Sequence, residues 1–171
     1  CSRNHAIFIS KYTLNQLSKH CRQESETGDL ARSLGQALTQ YFQEFPGGHL
    51  NLALSGELGA GKTSFARSLI QSLGHQGKVK SPSYALCEPY SIMVAQHSIA
   101  LHHFDLFRMR SALEWQEAGF ADLFASPGLC LVEWPEKAGD TLPVFDLSIA
   151  LKARQAECER DIDITAHSPA G

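Results

Sequence analysis

The sequence predicts an α/β domain, a mixed sheet with a parallel core and antiparallel edge strands. Three observations carry that prediction. The octapeptide GELGAGKT (Gly56 to Thr63) separates a short apolar run from an amphipathic one. Two further runs, SIALHHFD and GLCLVE, are apolar in the main and each ends on an acid, Asp105 and Glu133. From Phe145 to Leu151, and again from Arg160 to Ile164, apolar and polar residues alternate with period two.

The 171 residues suit one domain, and such a chain buries roughly 70% of the surface that its unfolded form exposes. Hydrophobic residues make up 43% and charged residues 19%, which argues against wholesale disorder. The net charge is -3, from 15 Lys and Arg against 18 Asp and Glu, so the chain lacks the basic surplus of a protein that grips nucleic acid unaided. No apolar run approaches the roughly 18 residues of a membrane helix, and charges interrupt the first 20 residues where a signal peptide would be apolar. The five cysteines (1, 21, 87, 130 and 158) are odd in number, scattered and without a CxxC pair. They read as reduced thiols of a cytoplasmic protein, with neither a disulfide framework nor a structural zinc site expected.

In chain order, residues 1–26 are polar and weakly patterned and read as an N-terminal extension. Residues 27–166 form the expected domain, and 167–171 a tail. Leu30, Leu34, Leu38, Tyr41, Phe42 and Phe45 recur at helical spacing, with Thr27 and Asp29 as candidate N-caps, and Pro46-Gly47-Gly48 ends that helix. HLNLALS (His49 to Ser55) reads as a buried strand. Phe65, Ala66, Leu69, Ile70 and Leu73 predict a helix after the glycine loop. Tyr84 to Phe104 suggests two strands turning near Ala95 to Ser98, and Ser111 to Phe124 a helix broken near Gly119. Gly128 to Trp134 is a second buried strand. The two alternating segments near the end fit an antiparallel pair at a sheet edge.

GELGAGKT fits the phosphate-loop pattern GxxxxGK[ST] in full. A loop wrapped around a phosphate must turn successive backbone N–H groups inward, and side chains would obstruct the approach. Gly56, Gly59 and Gly61 permit it, and a helix starting near Gly61 adds its positive end. Lys62 can reach the β and γ phosphates, and the Thr63 hydroxyl can sit on Mg²⁺. The preceding strand and following helix give the context that the motif requires. The predicted architecture is thus a P-loop NTPase-type three-layer sandwich. Such a site needs an acid at the end of a neighbouring strand to hold Mg²⁺ or orient water, and both Asp105 and Glu133 qualify. Trp134 is either a core plug or a wall of the site. His97, His102 and His103 read as structural or surface histidines, and Arg108 and Arg110 as a solvated pair rather than phosphate contacts.

No NKxD-type guanine element occurs, which favours ATP. Arg108 and Arg110 are the only arginines between Asp105 and Glu133, so the lid of a small-molecule kinase is hard to find, and that activity is the rival reading. A nucleotide-gated binding module is the third.

LSGELGAGKTSFARSL, VKSPSYALCEPY, HHFDLFRM and LCLVEWPEK occur in this order and together closely resemble the TsaE family, small P-loop ATPases of bacterial threonylcarbamoyladenosine formation in tRNA. The resemblance spans about Asp29 to Arg160. It implies Mg²⁺ and ATP as cofactors and the proteins TsaB and TsaD as partners; the want of an evident lid predicts slow hydrolysis by the chain alone, and the acidic balance predicts that the partners bring the RNA-facing surface. By motif, Gly59, Ala60, Gly61, Lys62, Thr63 and Ser64 would hold the phosphates, with Thr63 and Glu133 at the metal. Lys62, Asp105 and Glu133 would be catalytic, and Trp134 would be the tryptophan beside the metal acid. Lys80 to Tyr84, with Ser83 where the family usually has Thr, would be a switch-like loop. Phe107 stands for the usual Tyr, and Ala31 for a frequent Thr.

Overall fold

The computed structural model describes residues 15–82 and 85–171. Among them seven strands form one sheet: β1 (Gln16–Cys21), β2 (His49–Ser55), β3 (Cys87–Val94), β4 (His97–Asp105), β5 (Gly128–Glu133), β6 (Leu147–Ala153) and β7 (Arg160–Ala166). Their order is β1-β7-β6-β2-β5-β4-β3. The pairs β6/β2, β2/β5 and β5/β4 are parallel, whereas β1/β7, β7/β6 and β4/β3 are antiparallel. The expected parallel core with antiparallel flanks is therefore present.

The strand interiors explain the order. β2 and β5 lie at the centre and are buried almost throughout: GLCLVE is apolar on both faces up to Glu133, whereas HLNLALS alternates, with Leu50, Leu52 and Leu54 on one face and Ala53 and the buried Asn51, which donates to the Phe124 carbonyl, on the other. β6 and β7 face the core on one side only and alternate. One face of the sheet carries α1 (Glu24–Glu44) and α2 (Lys62–Ser72), with Leu38, Phe42, Phe65, Leu69 and Ile70 packed on Leu50, Leu52, Leu54 and Leu131. The other carries the single turn α3 (Glu114–Glu117) and a 3-10 turn at Ala121–Phe124, with Trp115 and Phe124 on Phe104, Cys130 and Val132. Each such large side chain contributes about 1.5–3 kcal/mol by leaving water. The break at Gly119 falls where the sequence puts it, but the flanking helix is reduced to two short turns.

Four sequence expectations change. Residues 16–26, expected in an extension, hold β1 and the start of α1. β1 is exposed along all but Cys21, so it has no apolar period to read. Its ladder to β7 and cross-strand pairs such as Ser18 Oγ to Asp163 Oδ1 (2.6 Å) hold it instead. β1 therefore covers β7, and the β6/β7 pair is not the sheet edge. Thr27 and Asp29 lie inside α1 rather than capping it. The helix enters at Gln23, whose side chain makes no capping bond, and the Glu26 carboxylate of the acidic first turn accepts the Arg22 backbone N–H at 2.7 Å. Its first buried position is Thr27, which gives no hydrophobic signal. Finally, residues 167–171 pack back on the domain: Ser168 Oγ donates to Asp146 Oδ1 at 2.6 Å, and the His167 N–H to the Asp146 carbonyl at 2.8 Å.

Candidate nucleotide site

β2, β5 and β4 are adjacent and parallel, so their C-terminal ends open at one edge of the sheet. Beyond β2 the chain enters the glycine loop and then α2; β4 ends on Asp105 and β5 on Glu133, which are register partners. Gly61 caps α2 at φ 97°, a left-handed conformation that glycine adopts without strain. The result is a cleft of about 520 Å³ whose walls include Gly59, Ala60, Gly61, Lys62, Thr63, Ser64, Asp105, Glu133 and Trp134. Those nine candidates thus meet in one place. Ser83 and Tyr84 lie outside the described residues. Within the same segment the Ser81 hydroxyl stands 3.4 Å from Thr63 Oγ1.

The Lys62 ammonium donates to the carbonyls of Gly56 (2.5 Å) and Glu57 (2.9 Å) and lies 3.8 Å above the Trp134 ring. Trp134 is therefore a wall of the cleft. It has a left-handed backbone (φ 57°), uncommon for a bulky residue, and Phe107 packs on it at 4.8 Å. Burial lowers the pKa of Lys62, against the opposing pull of Glu133, Glu136 and Asp105. Thr63 Oγ1 donates to Glu133 Oε1 at 3.1 Å. Asp105 Oδ1 accepts the Phe107 N–H at 3.0 Å. Burial, the largest influence, raises the Asp105 pKa; that N–H, His103 and Lys62 lower it, while the Glu133 charge adds to the rise.

Two contributors escape sequence reasoning. His103 is fully buried, and its Nε2 lies 2.6 Å from Glu133 Oε2. Its signal was the strand period: His103 and Asp105, two residues apart, share a face. Arg160, on β7, donates from Nε to the Ala60 carbonyl at 2.8 Å, a contact across 100 residues with no local signal. His97 is exposed, and Arg108 and Arg110 are exposed and absent from the cleft walls.

Among the described residues no three His, Cys, Asp or Glu side chains group as a metal cluster. Oxygen donors at the cleft include the Thr63 hydroxyl and the Glu133 carboxylate, with Asp105 alongside. Such a set suits Mg²⁺, a hard ion that takes one or two protein oxygens and fills its shell with phosphate oxygens and water.

A family model described as "Threonylcarbamoyl adenosine biosynthesis protein TsaE" matches residues 21–162. The tRNA threonylcarbamoyladenosine biosynthesis protein TsaE of Haemophilus influenzae is 38% identical over 118 residues, 69% of this chain and 71% of that one. Its namesake from Bacillus subtilis is 36% identical over 115 residues, 67% of this chain and 68% of that one. Among solved structures, the crystal structure of Bacillus subtilis YdiB superposes with a TM-score of 0.67 at 29% identity, covering 92% of this chain and 89% of that one.

Proposed function

The chain belongs to the TsaE family, whose members act in tRNA threonylcarbamoyladenosine biosynthesis, and from that premise we propose that it is a Mg²⁺-dependent ATPase of this pathway, slow alone and stimulated by partners. Its product role is the modification of tRNAs that read codons starting with adenine. TsaB and TsaD are the partners, tRNA is held through their complex, and the cytoplasm is the place of work. No helix among the described residues is long and apolar enough to cross a membrane.

The observation that carries the reading is the meeting of a complete phosphate loop with Thr63, Asp105 and Glu133 at three neighbouring strand ends. Loop amides and the α2 N-terminus receive the phosphates. Lys62 would exchange its two carbonyl acceptors for phosphate oxygens. Thr63 and Glu133 would hold Mg²⁺, which would supply charge neutralisation at the phosphates. Asp105, beside Glu133, orients the attacking water. Among the described residues the arginine in the cleft wall is Arg160, whose guanidinium donates to backbone carbonyls, and the -3 net charge suits a subunit whose partners face the RNA. A partner closing over the cleft would exclude water and supply compensating groups, an effect of orders of magnitude in other NTPases.

The test counts modified adenosines per TsaB–TsaD complex with ATP or a non-hydrolysable analogue. Multiple turnovers are expected only with this chain and hydrolysable ATP. Multiple turnovers without the chain refute the role, and efficient phosphorylation of a small metabolite would replace it with the kinase reading.

A further inference from the structure

The geometry points to Arg160 as a positioning residue for the phosphate loop, an inference that rests on the nucleotide-binding reading above. Its guanidinium is a two-sided brace. On one side Nε donates to the Ala60 carbonyl at 2.8 Å, and Nη2 reaches the Gly59 carbonyl at 3.4 Å. On the other, Nη1 donates at 2.8 Å to the carbonyls of Glu157 and Glu159, in the connection between β6 and β7. The loop is thereby tied to the β6–β7 connection at the cleft wall, which Arg160 also lines. The neighbouring strand closes the same face: a Cβ at Gly56 would lie 2.5 Å from the Leu151 carbonyl oxygen.

Peptide planarity gives this brace its consequence. In a trans peptide the N–H points opposite to the C=O, and no peptide bond described is cis. Holding the Gly59 and Ala60 carbonyls toward Arg160 turns the N–H groups of Ala60 and Gly61 the other way. The Ala60 N–H then closes the loop turn on the Glu57 carbonyl at 3.0 Å. The Gly61 N–H is turned away from Arg160, as a phosphate donor at the start of α2 must be. Arginine fits this task because its fork offers several fixed donors at once, whereas a lysine ammonium at the same distance could serve one carbonyl well. The guanidinium spends its donors on backbone oxygens, so it acts through the loop.

Two measurements on wild type, Arg160→Lys and Arg160→Met test this. The first is hydrogen exchange at the Ala60 and Gly61 amides in nucleotide-free protein. The Ala60 amide is expected to exchange about tenfold faster in Arg160→Met and less so in Arg160→Lys. The second is calorimetric titration with ADP and with adenosine. ADP affinity should fall about tenfold in Arg160→Met, with partial rescue by Arg160→Lys, while adenosine affinity, which needs no phosphate donor, stays unchanged. Unchanged Ala60 exchange in the variants overturns the inference, as does an equal loss for ADP and adenosine. Should Arg160→Met not fold, Arg160→Lys decides by the same two readouts. Failure of wild type to bind ADP would instead defeat the nucleotide reading, and the exchange measurement, made without nucleotide, would still decide the brace.

Discussion

His103 Nε2 stands 2.6 Å from Glu133 Oε2, with both side chains buried. The other Glu133 oxygen accepts the Thr63 hydroxyl at 3.1 Å. One carboxylate is thus held at both ends, by an imidazole from β4 and a hydroxyl from α2. On the proposed reading His103 would be an outer partner that fixes the metal-binding carboxylate in orientation, and loss of such a partner typically weakens metal affinity about 10–100-fold. His103→Ala should raise the Mg²⁺ concentration for half-maximal ATPase activity by about that factor, and His103→Gln, which keeps an N–H donor, by less. Equal Mg²⁺ requirements in all three proteins would leave His103 as core filler.

On the proposed reading Lys62→Ala removes a charge-assisted contact to the phosphates, and such hydrogen bonds contribute about 1.5–3 kcal/mol. Calorimetry should show ATP affinity at least about tenfold weaker, or turnover should vanish. Unchanged affinity together with unchanged turnover would remove the loop from the site.

The acids should separate catalysis from binding. Glu133→Gln and Asp105→Asn are expected to lower hydrolysis more than nucleotide affinity, because orienting metal and water matters most in the transition state. Wild-type hydrolysis in either variant, measured in the reconstituted system, would make that residue a bystander.

Asp105 also has a pH signature. Burial raises its pKa, so its charged form opposes folding at neutral pH. A carboxyl with a folded-state pKa above the unfolded one favours the fold below the unfolded value, and that contribution is lost as pH rises through the folded value. Without Mg²⁺, Asp105→Asn should therefore melt at a higher temperature than wild type at pH 7. The gap should close as the pH falls below the ordinary aspartate range. Melting curves across pH check this, and a variant less stable at pH 7 would contradict it.

Cysteine reactivity maps the cleft. Burial pushes the thiols of Cys87 and Cys130 up to about 12, leaving little thiolate at neutral pH. Cys21 is buried, whereas Cys158 is exposed and lines the cleft. In protein carrying Cys1→Ser, iodoacetamide should label Cys158 first, and ADP should slow it. Labelling indifferent to ADP would place the nucleotide elsewhere.

Asp146 ties residues 167 and 168 to the domain and accepts the Asn51 N–H at 2.7 Å. Asp146→Ala leaves donors without their charged acceptor and should cost about 1.5–3 kcal/mol in urea unfolding. It should also expose residues 167–171 to carboxypeptidase. Retained stability and resistance would show that the contacts carry little.

The sequence by itself determined whatever local order can encode. GELGAGKT between an apolar run and an amphipathic one specifies strand, phosphate loop and helix, because each motif element acts within a few residues of the next. Asp105 and Glu133 were legible because both end apolar runs, and parallel strands bring such ends to one edge. Tertiary structure decided the rest. His103 meets Glu133 across 30 residues, and Arg160 meets Ala60 across 100. A polar side chain gives no sign of its partner until the sheet order sets which strands are neighbours. The same holds for β1: its pairing with β7 is made by backbone hydrogen bonds that any sequence can offer, and its exposed polar side chains leave no periodic trace.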